Sequence, residues 1–346
     1  MNVRFTVLWL FCAVLAGFLS CSRKSSPPPQ TAFYFWQTVY RPDSPALHYL
    51  REAGASRLYV RCFDVDTARA ADGSLQVQPV SVLRSEGAWP EQQDIVPVVY
   101  LTRQALRRGL PADTFAARIA RLLQQVVMKN RWKIREVQWD HDWTPSTREP
   151  YFALLQALRR HPSLEKLKFS ATIRLHQIRY RSRTGLPPVD RGLLMCYNMG
   201  KLKQPGSANS LFDADLCREY LQDLSDYPLP LDPALPLFRW AVQFRGGRFH
   251  ALLNAMPEDS AAGRPLQPLG KHLYRCTASC TLMGYRLQTG DELRFEAPDP
   301  QDLQAFARWL LPRLPVPPHF LAFFDWPPDL HPQFTPHVIR TIVQAT

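Results

Sequence analysis

The sequence predicts an α/β fold in which parallel strands close into a barrel inside a ring of helices. Three observations carry this. Eight short apolar runs are bounded by turn residues, and helical patterns connect most of them. Regular strand–helix alternation makes parallel neighbours, since each parallel pairing needs a helical crossover. About 315 residues follow the N-terminal segment, enough for one large α/β barrel. The expectation is therefore a (β/α)8 barrel of the TIM type with an elaborated loop after its seventh strand. An open doubly wound sheet is the alternative, but the chain lacks the Gly-rich phosphate loop that would support it.

The first thirty residues read as an export signal. Arg4 is followed by an unbroken apolar run over residues 5–19, too short to span a bilayer comfortably. Phe18-Leu19-Ser20-Cys21 resembles the bacterial lipobox, in which the Cys thiol receives a lipid and cleavage falls just before it. That resemblance implies a signal peptide over 1–20, lipidation at Cys21 and stable anchoring by two or three acyl chains. The competing reading is an ordinary signal peptide with an incidental Cys. Residues 21–31, with Ser25-Ser26-Pro27-Pro28-Pro29, read as a stiff tether. The expected location is the bacterial cell envelope, with the membrane as one partner.

The single barrel domain is expected over 32–346. Strand one is 32–40, followed by a helix with Ser44 as cap and Pro45 at its first position. Strand two is 57–64, and the connection over 67–93 looks irregular. Strand three is 94–101. Residues 112–132 form an amphipathic helix with Phe115, Ile119, Leu122, Leu123 and Val126 on one stripe. Strand four is 136–142, and Ser146 or Thr147 caps the helix bearing Tyr151, Leu154, Leu155 and Leu158. Strand five is 167–175, strand six 192–198, and a helix covers 213–224. Strand seven is expected at 237–244, with residues 245–298 as the elaborated loop. A helix begins at Asp299, strand eight is 319–326, and 335–343 is the last helix.

The formal charge of +12 raises nucleic-acid binding. The basic residues are scattered, no nucleic-acid motif is present, and export removes the chain from the nucleoid. A solvated basic face, near anionic headgroups, is the simpler account. Cys62 and Cys196 sit in apolar strands and read as small core residues. Cys276 and Cys280, four apart in a loop, are open between two thiols and a disulfide. No zinc-ligand spacing, G-x-S-x-G elbow or His-Glu-x-x-His string appears, so neither metal nor cofactor is expected.

In a barrel, working residues lie at the C-terminal strand ends. The sharpest such end is Val137-Gln138-Trp139-Asp140-His141-Asp142-Trp143-Thr144. Side chains alternate along a strand, so Gln138, Asp140 and Asp142 share one face and Val137, Trp139 and His141 the other. Two carboxylates with Cα atoms roughly 6.5 Å apart resist joint ionisation, which suits acid–base work or a satisfied buried pair. Other strand ends supply Arg61 and Asp64, Arg174, Gln243 and Asp325. Trp36, Trp143, Tyr197, Trp240 and Trp326 are candidate aromatic platforms for a sugar face.

Asp140-x-Asp142-Trp143 resembles the D-x-x-D-x-D-x-E motif of family 18 (chitinase-like) glycoside hydrolases. Met195-Cys196-Tyr197-Asn198 is similar to that family's strand-six Met-x-Tyr-Asp, and Trp326 fits its sugar-floor position. The resemblance implies a TIM-type barrel acting on an N-acetylated glycan, with Asp142 and Tyr197 holding the substrate's own acetamido group as it attacks the sugar carbon. Asp140, Asp142 and Tyr197 are the catalytic candidates on this basis, with Met195 and Asn198 beside them. The family's acid Glu falls on Thr144, its first Asp on Val137, and its strand-six Asp on Asn198. Bacterial barrel lipoproteins with an Asp-x-Asp-Trp-Thr string are also similar. Three functions follow as expectations: a glycan-cleaving enzyme, a barrel that binds glycan or polysaccharide without cutting it, and an envelope scaffold that contacts another protein.

Overall fold

Among the residues described by the structure, a computed structural model, eight parallel strands hydrogen-bond in a closed ring. The described residues are 27–69, 72–73, 75–107, 111–206, 209–326 and 332–345. The expected signal peptide, Cys21 and tether residues 22–26 lie outside them. Among the described residues no helix is long and apolar enough to cross a membrane.

The barrel strands are, in chain order, Gln30–Phe35, Ala55–Arg69, Asp94–Leu101, Glu136–Asp140, Lys168–Arg174, Arg191–Met195, Leu231–Pro236 and Phe320–Phe324. The first and last pair in parallel, Gln30 beside Phe320 and Phe33 beside Phe323, which closes the ring. The second strand runs far beyond its neighbours, and Leu75–Val80 folds back antiparallel along that extension. This accounts for the irregular second connection.

Alternation divides the apolar residues into two cores. Ala32, Tyr34, Tyr59, Val96, Val98, Leu193, Met195, Tyr197, Ala234 and Ala322 fill the barrel. Phe33, Leu58, Val99, Val137, Trp139, Phe169 and Leu194 face outward and pack under the helices. Helix Ala112–Lys129 buries Phe115, Ile119, Leu123 and Val126, and helix Arg148–Arg160 buries Tyr151, Leu154, Leu155 and Leu158. Asp43, not Ser44, caps helix Ser44–Glu52, its carboxylate accepting from the Ala46 N–H at 2.8 Å. Ion pairs plug the floor of the barrel: Arg57 with Asp94 (2.6 Å) and Glu136 (2.8 Å), and Arg191 with Asp232 (2.9 Å).

The seventh strand is not 237–244. It is Leu231–Pro236, with Leu231 beside Gly192 on the sixth strand and Ala234 beside Ala322 on the eighth. Pro233 and Pro236 and the buried Asp232 hide it, since proline cannot donate to a ladder and reads as a strand breaker. The stronger β-forming run that follows leaves the barrel. Trp240–Arg245 joins a five-stranded antiparallel sheet in the order Arg248–Asn254, Trp240–Arg245, Glu292–Glu296, Leu273–Cys276, Leu266–Gly270. The stretch expected as a loop is thus a folded sheet with its own core, including Ala241, Leu253, Met256, Leu293 and Phe295.

Gly192 lets the sixth strand fit between its neighbours. A Cβ there would lie 2.6 Å from Leu231 Cδ2 and 2.7 Å from Ile173 Cγ1. Gly192→Ala is expected to destabilise the fold by roughly 1–3 kcal/mol through overpacking, read as a lowered denaturant midpoint. An unchanged midpoint would mean that this contact is slack.

Candidate functional site

The fourth and fifth strands build the site as a pair. Their register sets Gln138 beside Ser170, so the next inward residues, Asp140 and Thr172, also meet. Thr172 Oγ1 donates to Asp140 Oδ1 at 2.6 Å. One step further out, Arg174 grips Asp142 with two parallel bonds, Nε to Oδ1 at 2.5 Å and Nη2 to Oδ2 at 2.8 Å. Below them, the Tyr34 hydroxyl donates to Gln138 Oε1, and Gln138 Nε2 reaches Ser170 Oγ at 3.4 Å.

The two carboxyls have opposite protonation tendencies. Asp140 is only 5% exposed. Burial first, then the negative charge of Asp142, push its pKa up to about 7, against the opposing Thr172 bond and Arg174 charge. Asp142 is also disfavoured by burial, but the Arg174 hydrogen bonds and charge outweigh it and hold the carboxyl below its ordinary value. At neutral pH the mouth therefore contains one ion pair and one carboxyl that readily keeps a proton.

Tyr197 lies just past the neighbouring sixth strand, two residues beyond Met195, which pairs with Arg174. It is buried, its hydroxyl has no hydrogen-bond partner, and it feels the charges of Arg174, Asp140, Asp142 and Asp325. An unpaired buried hydroxyl costs free energy unless something is bound to it. Phe324 is the hub of an aromatic wall, its ring centre 5.4 Å from those of Tyr34, Trp36 and Tyr197 and 5.6 Å from that of Phe238. The Arg61 guanidinium lies 5.1 Å over the Trp36 ring and pairs with Asp64. Tyr100 edges onto Trp36 at 6.3 Å and feels Asp140, Asp142 and Asp64.

The mouth thus gathers Asp140, Asp142, Tyr197, Trp36, Arg61, Asp64, Arg174 and Asp325. Met195 lies one layer deeper, in the barrel interior. Asn198 is exposed just past Tyr197, with φ 55.

Four expected platform or binding residues are elsewhere. Trp143 continues the outward face of Trp139 and His141; it is fully buried and its indole donates to Thr184 O at 2.9 Å. Trp326 is also fully buried in the outer core and donates to Ala46 O at 3.3 Å, because the chain leaves the eighth strand after Phe324. Trp240 and Gln243 belong to the inserted sheet, where Trp240 donates to Glu296 at 2.7 Å and Gln243 to Asp291 at 2.7 Å. Trp240 supports the wall from behind, with its ring centre 5.2 Å from that of Phe238.

Sequence reasoning missed Phe324, Phe238, Tyr100 and Thr172. Thr172 had a signal, since it lies two residues before Arg174 on the same strand face. Thr144 offers no acid, and its groups bind locally: its N–H donates to Thr147 Oγ1 at 3.0 Å and its hydroxyl contacts Ser146 Oγ at 3.0 Å.

Asp140 has a folded pKa above its unfolded value near 4. Its contribution to stability is therefore complete below about pH 4 and is lost as pH rises through about 7. Asp140→Asn keeps an acceptor for Thr172 and removes the titration. The variant is expected to match the parent at pH 4 and exceed it in denaturant midpoint at pH 8. A variant weaker than the parent at pH 8 would show that the carboxylate is well tolerated there.

No protein-family model matches the sequence, and no curated protein matches it. Solved structures do match in fold. A chitinase from Chromobacterium violaceum superposes with a TM-score of 0.55 at 12% identity, over 91% of this chain and 99% of that one. The spore cortex-lytic enzyme SleL of Bacillus cereus gives 0.52 at 15% identity, over 92% of this chain and 75% of that one. The family 18 chitinase ChiB of Flavobacterium johnsoniae gives 0.51 at 9% identity, over 92% and 94%. In fold, this chain is similar to the chitinase-type (β/α)8 barrels of family 18, as its strand-four and strand-six motifs imply.

Proposed function

We propose that the barrel mouth binds an N-acetylated glycan and holds it without cutting it, on a chain anchored to a bacterial envelope membrane through Cys21. The observation that carries the glycan reading is the unpaired Tyr197 hydroxyl, close to the Asp142–Arg174 ion pair and packed on the aromatic wall through Phe324. A sugar ring stacks on an aromatic surface while neighbouring polar groups bind its substituents. In this reading the Tyr197 hydroxyl donates to the acetamido oxygen, and Asp142 accepts from the acetamido N–H. The chitinases and the cortex-lytic enzyme with the same barrel support a glycan ligand.

Cleavage needs a proton donor at the glycosidic oxygen. The motif position for that donor is Thr144, whose hydroxyl contacts Ser146 in the turn that starts a helix. Asp140 keeps a proton but lies deeper, bonded to Thr172. Loss of the general acid costs on the order of 10²–10⁴ in rate. Binding is the function that the remaining groups can perform.

Calorimetric titration of the protein with chitooligosaccharides and peptidoglycan fragments tests this. The expected result is saturable binding with no new reducing ends. Tyr197→Phe is expected to weaken binding by roughly 2–12-fold, the worth of one hydrogen bond of about 0.5–1.5 kcal/mol. Turnover that disappears in Asp142→Asn would replace this reading with a hydrolase, and absence of binding to every glycan would end it.

The anchor is proposed from the apolar run 5–19 and the string Phe18-Leu19-Ser20-Cys21. Expressed in bacteria, the parent is expected to sediment with membranes and to carry acyl mass on an N-terminal Cys21. Cys21→Ser is expected to lose the acyl mass. A parent chain without lipid at Cys21 would overturn this part alone.

A further inference from the structure

The inserted sheet carries two thiols that the barrel mouth does not use. Cys276 ends strand Leu273–Cys276 and is 1% exposed; Cys280 starts strand Cys280–Leu282 and is half-buried. Three residues separate them. The backbone fixes both positions. The Cys276 N–H donates to Asp291 O and its carbonyl accepts from Gly290 N, both at 2.7 Å. Cys280 pairs with Leu287 across a hairpin, and the adjacent Ser279 Oγ accepts from Thr289 N at 3.2 Å. Held this way, the Cys276 thiol donates to Ala278 O at 3.0 Å, inside the turn that leads to Cys280, and Cys280 packs against the apolar cluster that holds Cys276.

The other described cysteines differ. Cys62, Cys196 and Cys217 are fully buried in the barrel body, and Cys217 is turned to Met199 Sδ. Among the described cysteines only Cys280 is partly exposed, and it packs against the cluster that holds Cys276.

We infer that Cys276 and Cys280 form a redox pair that closes to a disulfide and staples the hairpin of Cys280–Leu282 and Tyr285–Leu287 to the inserted sheet. The hairpin has its own two-stranded pairing, separate from the five-stranded sheet. It meets the sheet through Leu282 and Leu287 in the shared apolar cluster and through the Gln243 Nε2 bond to Arg286 O at 3.4 Å. Its tip carries the exposed Met283. A covalent link at its base removes open conformations from the ensemble.

A low-molecular-weight disulfide such as oxidised glutathione is a sufficient oxidant. Cys280, as thiolate, attacks one glutathione sulfur and releases the first glutathione thiolate. Cys276 then loses its proton to solvent, attacks Cys280 Sγ and expels the second. Two thiols become one disulfide, and two electrons reduce one oxidised glutathione to two thiols. This inference is independent of the glycan reading.

The test exposes the purified full chain to oxidised glutathione, then alkylates, digests with trypsin and maps by mass. Cleavage after Arg275 and Arg286 gives one peptide, 276–286, that holds both thiols. The expected product is that peptide lighter by two hydrogens, unalkylated and without glutathione, and restored by dithiothreitol. A stable glutathione adduct on Cys280, or free alkylation of both thiols after oxidation, would overturn the inference. Cys276→Ser keeps a small side chain and is expected to trap glutathione on Cys280. An unmodified Cys280 in that variant would refute the assigned order of attack.

Discussion

Closure of the ring forces every second residue of each strand into one enclosed space, and the fourth strand spends two of those positions on Gln138 and Asp140, with Asp142 continuing the alternation just past its end. Two carboxylates on residues whose Cα atoms lie roughly 6.5 Å apart resist joint ionisation. The fifth strand relieves this with the same alternation. Thr172 meets Asp140, and Arg174 meets Asp142. One carboxyl then keeps a proton and the other joins an ion pair, so the pair approaches neutrality. The remaining inward residues follow from that arrangement. Tyr34, Gln138 and Ser170 form a polar relay beneath it, and Tyr197 presents a hydroxyl from the neighbouring sixth strand.

A mouth with this charge pattern suits an uncharged ligand. Arg174 is held by both oxygens of Asp142, so its positive charge is already matched. The same bidentate grip orients Asp142 before anything binds, which lowers the ordering cost of binding. It also keeps Asp142 ionised, since the Arg174 bonds and charge hold its carboxyl below the ordinary value.

The barrel was legible because its signal is periodic. Outward residues such as Val137, Trp139 and Phe169 and inward residues such as Gln138 and Ser170 follow a two-residue rule that needs no tertiary knowledge. The seventh strand was not legible, because Leu231–Pro236 carries two prolines and an Asp satisfied only by distant partners: Arg191 and the N–H groups of His319 and Phe320. Its neighbour 237–244 has better local propensity but joins another sheet. The same limit explains the aromatic errors. Trp143 keeps the outward alternation of Trp139 and His141, which outweighs its position at a strand end, and Trp326 lies past the last paired residue of its strand, where the turn decides direction. Phe324 lies on the last paired turn of its own strand and so faces the mouth. Periodicity identified the acidic pair and Arg174; it carried no information about which ring would back them.

The inserted sheet is coupled to the mouth by covalent geometry. Only Leu237, Phe238 and Arg239 separate the seventh barrel strand from Trp240–Arg245, and Phe238 is part of the aromatic wall. Glu296, the last residue of the inserted sheet's central strand, is 3% exposed and accepts from Trp240 Nε1 (2.7 Å), Arg294 Nε (2.6 Å) and Ser210 Oγ (2.6 Å). Arg294 in turn donates to the carbonyls of Leu202 and Gln204, in the loop that follows Tyr197 and Asn198. One buried carboxylate therefore ties the base of Phe238 to the loop beyond Tyr197. Removing it would leave Arg294 as an uncompensated buried cation between them. The inserted sheet thus holds two sides of the mouth at a fixed spacing, a role that a flexible loop of the same length could not fill.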